Sequence, residues 1–266
     1  PVPKATPLAA KLAAEQGISL SDVPAQGRIT AADVADQCPP PDEGETVPMT
    51  GMRRTIAENM CNSHLTSPTV TYHIHVDMSA AGQLREALRQ AGIKVSYTDL
   101  LVQVTAQALR QFPVVNSSVT DQSIRYHSHI NIGVAVALEQ GLLVPNIPDA
   151  DKKGLREISA MLRQLSAAAR SGTLSMDRLQ GGTFTISNLG MYGMERFTPI
   201  INQPEVAILG VNAIEEQVVA LHGQAVIRPM MGLSLTADHR AIDGAVAAQF
   251  LQRIKALLET PALLLA

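Results

Sequence analysis

The stretch Leu233-Ser-Leu-Thr-Ala-Asp-His239-Arg-Ala-Ile-Asp243-Gly244 joins an apolar alternation to a polar turn. The alternation predicts a strand, and the polar residues after it predict that His239 is presented where the strand ends. Asp243 follows four residues later, and Gly244 stands where small size or an unusual backbone angle is expected. Imidazole, with an unperturbed pKa of about 6.5, can take a proton from a thiol of about 8.5 near neutral pH. Residues 245–258 read as a helix whose small alanines allow close packing near the turn, and Pro261 limits it.

Upstream, residues 218–226 and 230–235 predict a hairpin whose second strand leads to His239, and residues 207–211 predict another short strand. Gly181-Gly-Thr-Phe-Thr-Ile-Ser-Asn-Leu-Gly190 reads as a strand entering a flexible turn, and it carries Ser187. Serines beside glycines commonly cap turns. The spacing Gly-x-Ser-x-Gly of a nucleophile elbow is missing here, which counts against a covalent serine hydrolase. Leu155, Ile158, Leu162 and Leu165 predict a helix over 155–169, and residues 78–91 and 96–112 predict two more. Another helix begins at Thr50 or Gly51, carries Arg53 and Arg54, and is limited by Pro68. In residues 70–77, Val70, Tyr72, Ile74 and Val76 alternate with Thr71, His73, His75 and Asp77, as in a strand with one buried side. Residues 130–138 read as an inner strand, whereas Pro145 and Pro148 oppose an ordinary central strand across 142–148. The class is mixed α/β, without a dinucleotide glycine fingerprint or a phosphate loop.

The amino-terminal part reads differently. Thr6 caps a helix that opens at Pro7 and ends at Gly17; Thr30 caps a second from Ala31, with Asp33 completing a capping box. So small a core suits docking rather than chemistry. Three prolines and an acidic, glycine-containing run at 39–47 favour an extended connector. The expected organisation is a binding module over 1–36, a flexible linker over 37–47 and a larger domain over 48–266.

Hydrophobic residues make up 46% of the 266 and charged residues 17%, as in a folded protein. A net charge of -3 gives no polyanion-binding signature, so nucleic acid is not an expected partner. The two cysteines, Cys38 and Cys61, make neither a disulfide framework nor a metal knuckle. No apolar run reaches the roughly 20 residues of a membrane span, so a soluble, intracellular protein is expected. His73, His75 and Asp77 share one strand face and could bind zinc, but the same alternation makes an ordinary polar surface. His127 and His129 pose the same choice, and no metal is expected. On its residues alone, His239 is a candidate proton carrier in a loop that also suits a structural histidine.

Around His239-Arg-Ala-Ile-Asp243-Gly244 the chain resembles the dihydrolipoamide acyltransferase subunit of 2-oxo acid dehydrogenase complexes. The resemblance extends through Met49-Thr-Gly-Met-Arg-Arg-Thr-Ile-Ala-Glu-Asn-Met, Asn131-Ile-Gly-Val-Ala-Val-Ala, Gly141-Leu-Leu-Val-Pro, Thr183-Phe-Thr-Ile-Ser-Asn-Leu-Gly and Ile200-Ile-Asn-Gln-Pro-Glu-Val-Ala-Ile-Leu-Gly. These stretches span nearly all of residues 48–266. Pro7-Leu-Ala-Ala-Lys-Leu-Ala-Ala-Glu, Gly17-Ile-Ser-Leu-Ser-Asp-Val and Gly27-Arg-Ile-Thr-Ala-Ala-Asp-Val are similar to that family's peripheral subunit-binding domain.

The resemblance implies a coenzyme-A-dependent acyltransferase fold like that of chloramphenicol acetyltransferase, with a mixed sheet and packed helices. It implies trimers with active sites between subunits, built into a larger symmetric core. It implies His239 as catalytic base, Ser187 as oxyanion donor, and Asp243 as an organiser of the site supported by Arg53. Coenzyme A would be a substrate, and the lipoyl group would sit on a domain outside this chain. Expected partners are that lipoyl domain and dihydrolipoamide dehydrogenase or the 2-oxo acid dehydrogenase subunit. The compartment would be the cytoplasm in a bacterium, which is preferred, or the mitochondrial matrix in a eukaryote. Acetyl is the expected acyl group, with succinyl and branched-chain groups as alternatives. A free small-acceptor acetyltransferase and a noncatalytic scaffold are the competing functions.

Overall fold

The computed structural model describes residues 4–25, 27–37, 44, 46–49, 51–120, 122–138 and 141–265. It divides into two compact units, Pro1–Pro48 and Met49–Ala266. Cys38, the proline run at 39–41 and the alternative helix start at Thr50 lie outside the described residues.

In the first unit, helix α1 (Pro7–Gln16) opens where the Thr6 hydroxyl accepts the Ala9 N–H, and it closes at Gly17, whose φ of 69° is left-handed. Helix α2 (Ala31–Ala35) has the full capping box: Thr30 accepts from the Asp33 N–H, and Asp33 accepts the Thr30 N–H at 2.7 Å. Those bonds hold the Asp33 carboxyl below its usual range. The core is Ala9, Ala13, Val23, Ile29 and Val34. With so few apolar side chains, caps worth about 1 kcal/mol each are a sizeable part of this unit's stability.

The second unit opens with helix α3 (Gly51–Thr66) and strand β1 (Thr69–Asp77), followed by helices α4 (Ser79–Gln90) and α5 (Tyr97–Gln111). Short strands follow: β2 (Ser117–Val119), β3 (Ile124–Tyr126), β4 (Ile132–Val134), β5 (Val136–Leu138), β6 (Gly141–Leu143) and β7 (Asn146–Ile147). Helix α6 (Leu155–Ser171), strand β8 (Phe184–Asn188), a hairpin of β9 (Ala207–Leu221) and β10 (Gln224–Asp238), and helix α7 (Gly244–Glu259) complete it. Six strands form a mixed sheet in the order β1-β10-β9-β8-β4-β7. Strand β8 runs parallel to β4 and β9, and the remaining pairs are antiparallel.

Alternation gives the sheet two unlike faces. Phe184, Ile186, Leu209, Leu233 and Leu235 are fully buried. On their side Phe184 meets Phe250 of α7 edge-on at 5.8 Å, and Phe250 meets Phe112 at the same distance. The opposite face carries two rows of mostly small or polar residues. One is Thr185, Ile208, Thr236 and Thr71; the other is Ser187, Gly210, Ser234 and His73. Phe197 lies against Gly210, where an added Cβ would come within 2.9 Å of its ring.

Two expected strands differ in the structure. The stretch 130–138 breaks at Ala135, whose N–H bonds to the Ile186 carbonyl; β5 then leaves the main sheet and pairs with β6. The hairpin is longer than expected and turns at His222-Gly223, inside the predicted strand 218–226, with φ of 51° and 79°. Its outer half is largely exposed: Val218 and Ile227 face each other across the pair, 72% and 65% accessible. No core imposes a pattern there, so Glu215-Glu216-Gln217 resembles a loop in sequence while the ladder continues. Among the described residues no helix is long and apolar enough to cross a membrane.

Candidate active site

Strand β10 delivers the turn expected from the sequence. Asp238 is its last residue, and His239 follows, exposed, with its N–H bonded to the Pro68 carbonyl at 2.9 Å. Asp238 is almost fully buried, yet its carboxylate accepts from the backbone N–H, Nε and Nη2 of Arg240, the last at 2.6 Å. Burial pushes its carboxyl up, and the bonds from Arg240 outweigh that and hold it below the usual range. The turn is therefore fixed by its own backbone and by this ion pair, leaving the imidazole between them to face outward. Sequence reasoning passed over Asp238 and Arg240 because they flank the histidine as an ordinary charged pair.

Asp243 is exposed at the N-cap of α7 and makes no side-chain capping bond. Arg53 lies on α3. The expected constraint at Gly244 is absent: its φ is not positive, and an added Cβ would stand 3.4 Å from the Tyr72 hydroxyl, an ordinary contact.

Ser187 sits elsewhere. It lines a cavity of about 790 Å³ with residues of α4, α5 and α6, while His239 does not line it. Ser187 shares a cross-strand row with Ser234, two strands away and five residues before His239. Strand geometry therefore separates the two by about 16 Å along β10 and about 10 Å across the sheet. One chain does not bring them together.

The turn after Ser187 is tightly held. Asn188 donates to the Thr98 hydroxyl and accepts the Gly190 N–H, and an added Cβ on Gly190 would lie 2.5 Å from the Asn212 carbonyl oxygen. Cations surround the cavity: Arg85, stacked 4.5 Å from the Tyr97 ring centroid, with Lys94, Arg163 and Arg170. Arg163 also donates to the Lys94 carbonyl and the Ser159 hydroxyl. Arg163 and Arg170, seven residues apart on α6, share a helix face, a spacing that could have revealed the rim in sequence.

The histidines paired in the sequence, His73 with His75 and His127 with His129, have local surroundings of their own. His73 Nδ1 and Ser234 Oγ are 2.9 Å apart, and burial pushes the imidazole's pKa down, aided by Arg196 and His75. His75 lines a small cavity with Glu195, Arg196 and Glu215. Burial also lowers His127, and His129 contacts Asp149 at 2.7 Å. No group of three or more His, Cys, Asp or Glu side chains among the described residues is arranged to hold a metal.

Comparison with known proteins gives this architecture a family. The model of the 2-oxoacid dehydrogenases acyltransferase (catalytic domain) matches residues 41–266, and that of the e3 binding domain matches residues 3–35. The dihydrolipoyllysine-residue succinyltransferase component of the 2-oxoglutarate dehydrogenase complex of Rickettsia bellii is 41% identical over 259 residues, covering 90% of this chain and 65% of that protein. The dihydrolipoamide acetyltransferase of Azotobacter vinelandii is 38% identical in sequence. Its structure superposes with a TM-score of 0.81, covering 86% of this chain and 99% of that one. That structure belongs to an investigation of a serine, a histidine and an asparagine in its catalytic mechanism. The cubic core of a pyruvate dehydrogenase multienzyme complex gives 39% identity and a TM-score of 0.81, with the same coverage. The chain spans about half to two thirds of the length of several curated relatives it matches. By its matched sequence and its fold, the chain belongs to the 2-oxoacid dehydrogenase acyltransferases, as their catalytic domain preceded by an e3 binding domain.

Proposed function

We propose that this chain transfers an acyl group between the thiols of dihydrolipoamide and coenzyme A, at a site completed by two copies of the chain. One observation carries the reading. The interval from the serine to the histidine in the Azotobacter vinelandii acetyltransferase equals that from Ser187 to His239, and its asparagine follows that histidine at the interval by which Asp243 follows His239. The separation of Ser187 from His239 within one chain then calls for His239 of one copy to meet Ser187 of another. The match to a cubic core supports such self-association.

At that junction His239 takes the proton from the coenzyme A thiol. The sulfur attacks the acyl carbonyl on dihydrolipoamide, and the carbonyl electrons move onto oxygen. Ser187 donates a hydrogen bond to the resulting oxyanion. As the carbon–sulfur bond to dihydrolipoamide breaks, the imidazolium returns its proton to the departing sulfur. Asp243, exposed beside the histidine turn, organises the site across the junction of the two copies, with Arg53 in support. The cavity beside Ser187 is of a size to hold a substrate arm, and Lys94, Arg163 and Arg170 offer cations to coenzyme A phosphates.

Acetyl is the proposed group, supported by the match to the acetyltransferase fold. Succinyl is the second reading, favoured by the Rickettsia bellii relative and by a cationic rim that could also pair a carboxylate. The ratio of kcat/KM for acetyl-, succinyl- and isobutyryl-coenzyme A decides between them. The first unit would dock dihydrolipoamide dehydrogenase, with the lipoyl group supplied by a separate domain.

Mixed assembly tests the shared site. Co-expressed in equal amounts, His239→Ala and Ser187→Ala chains should regain about one quarter of wild-type activity, because random neighbours restore about one site in four. Homogeneous assemblies of either variant should remain nearly inactive. Mixed assemblies no more active than the two separate variants would sink the two-copy site.

A further inference from the structure

Glu205 has no role in the chemistry above, yet it is only 3% exposed in the loop that enters β9. Its Oε1 accepts from the Asn202 amide at 3.2 Å, and the same amide reaches Thr185 Oγ1 at 3.4 Å. The Asn202 amide thus links Thr185 to the carboxyl group, whose pKa Thr185 helps to lower. A Cβ on Gly182 would stand 3.1 Å from Glu205 Oε1 and 2.5 Å from Asn146 Oδ1, so the two side chains converge where only glycine leaves room. Asn146 is anchored through its amide to the Gln180 carbonyl. Across β4, a Cβ on Gly133 would lie 3.0 Å from Asn146 Oδ1 and 3.3 Å from Thr185 Oγ1.

The groups around the carboxyl are thus Thr185 of β8, Asn202 of its own loop and Asn146 of β7, with a backbone bridge to Ser118 of β2. None of these side chains titrates, and no ion pair among the described residues includes Glu205. Its Oε2 is buried without a hydrogen-bond partner. Burial pushes the acid up to about 8, against the hydrogen bonds of Thr185 and Asn202. Burial therefore favours the neutral acid at this position.

Thr185 is two residues before Ser187 on the same strand and the same sheet face. We propose that Glu205 is a positioning residue for Ser187: joined to Asn202 and through its amide to Thr185, and packed with Asn146 at Gly182, it fixes the β7–β4–β8 part of the sheet and so the direction of the Ser187 hydroxyl. The inference rests on Ser187 being the oxyanion donor.

The experiment uses the whole assembled chain, with Glu205→Ala, Glu205→Gln, Ser187→Ala and the Glu205→Ala/Ser187→Ala pair. Glu205→Ala should lower kcat about tenfold or more while KM changes less than about twofold, since the donor is misdirected only where charge develops. Glu205→Gln, similar in shape and permanently neutral, should restore kcat at pH 7. Wild-type kcat should fall as pH rises through about 8 and Glu205 ionises, and Glu205→Gln should lack that fall. Linkage gives a second signature: the folded state keeps a proton that the unfolded chain has lost, so stability falls as pH rises from the ordinary carboxylate range to about 8. Glu205→Gln should remove that slope.

In the Ser187→Ala background, Glu205→Ala should cost little more, because its effect passes through the missing hydroxyl. A full additional loss there, an unchanged kcat in Glu205→Ala, or a Glu205→Gln pH profile identical to wild type would each overturn the proposal. If Glu205→Ala does not assemble, the Glu205→Gln profile carries the test. Wild-type turnover in Ser187→Ala would overturn the oxyanion assignment itself, a result distinct from failure of the Glu205 variants alone.

Discussion

His239→Ala is expected to lower acyl transfer by about 10² to 10⁴, the usual worth of a positioned general acid/base. The loss should fall on kcat, because the side chain handles a proton that moves only as the sulfur attacks. The fold should tolerate the change. The turn is held by the His239 backbone bond to Pro68 and by the Asp238–Arg240 pair, neither of which uses the imidazole. The residual rate should climb with pH until the thiol ionises by itself near 8.5. That climb separates loss of a base from loss of structure, which would depress the rate at every pH. A correctly assembled His239→Ala protein within twofold of wild type would remove His239 from the chemistry.

The second large effect is at Ser187. Removing its hydroxyl should reduce kcat by about 10² to 10³, the measured range for one oxyanion donor. KM for the acyl substrate should hardly move, because the hydrogen bond strengthens only as charge builds on the carbonyl oxygen. The replacement deletes one oxygen from a cavity wall, and the bonds of Asn188 to Thr98 and Gly190 keep the turn in place. A rise in KM with kcat unchanged would reassign Ser187 to substrate binding.

Much of this molecule follows from local chemistry, and its limits follow from the same source. The caps at Thr6 and Thr30, the left-handed Gly17 and the apolar stripe Ile158, Leu162 and Leu165 all depend on neighbours a few residues away, so spacing reveals them. The break at Ala135 depends on the Ile186 carbonyl, far along the chain, and periodicity carries no trace of it. The hairpin's outer half has no core to print a pattern on it. The histidine turn could be read from its own residues, but not its distance from Ser187, which is set by register across three strands. Glu205 stands in the sequence as one acid inside the stretch 200–210, and only the folded chain closes Gly182 and the neighbouring amides around it.

The outer half of the β9–β10 hairpin leaves Val218 and Ile227 in solvent, and an isolated two-stranded ribbon is at best marginally stable in water. If another copy shelters that ribbon, its order becomes subject to mass action: diluting the protein should speed amide exchange in residues 214–230 well before the sheet beneath responds. Subunits would then be rigid where they meet their own core and pliant at the rim until a neighbour arrives. Exchange rates independent of concentration would mean that the ribbon stands unaided.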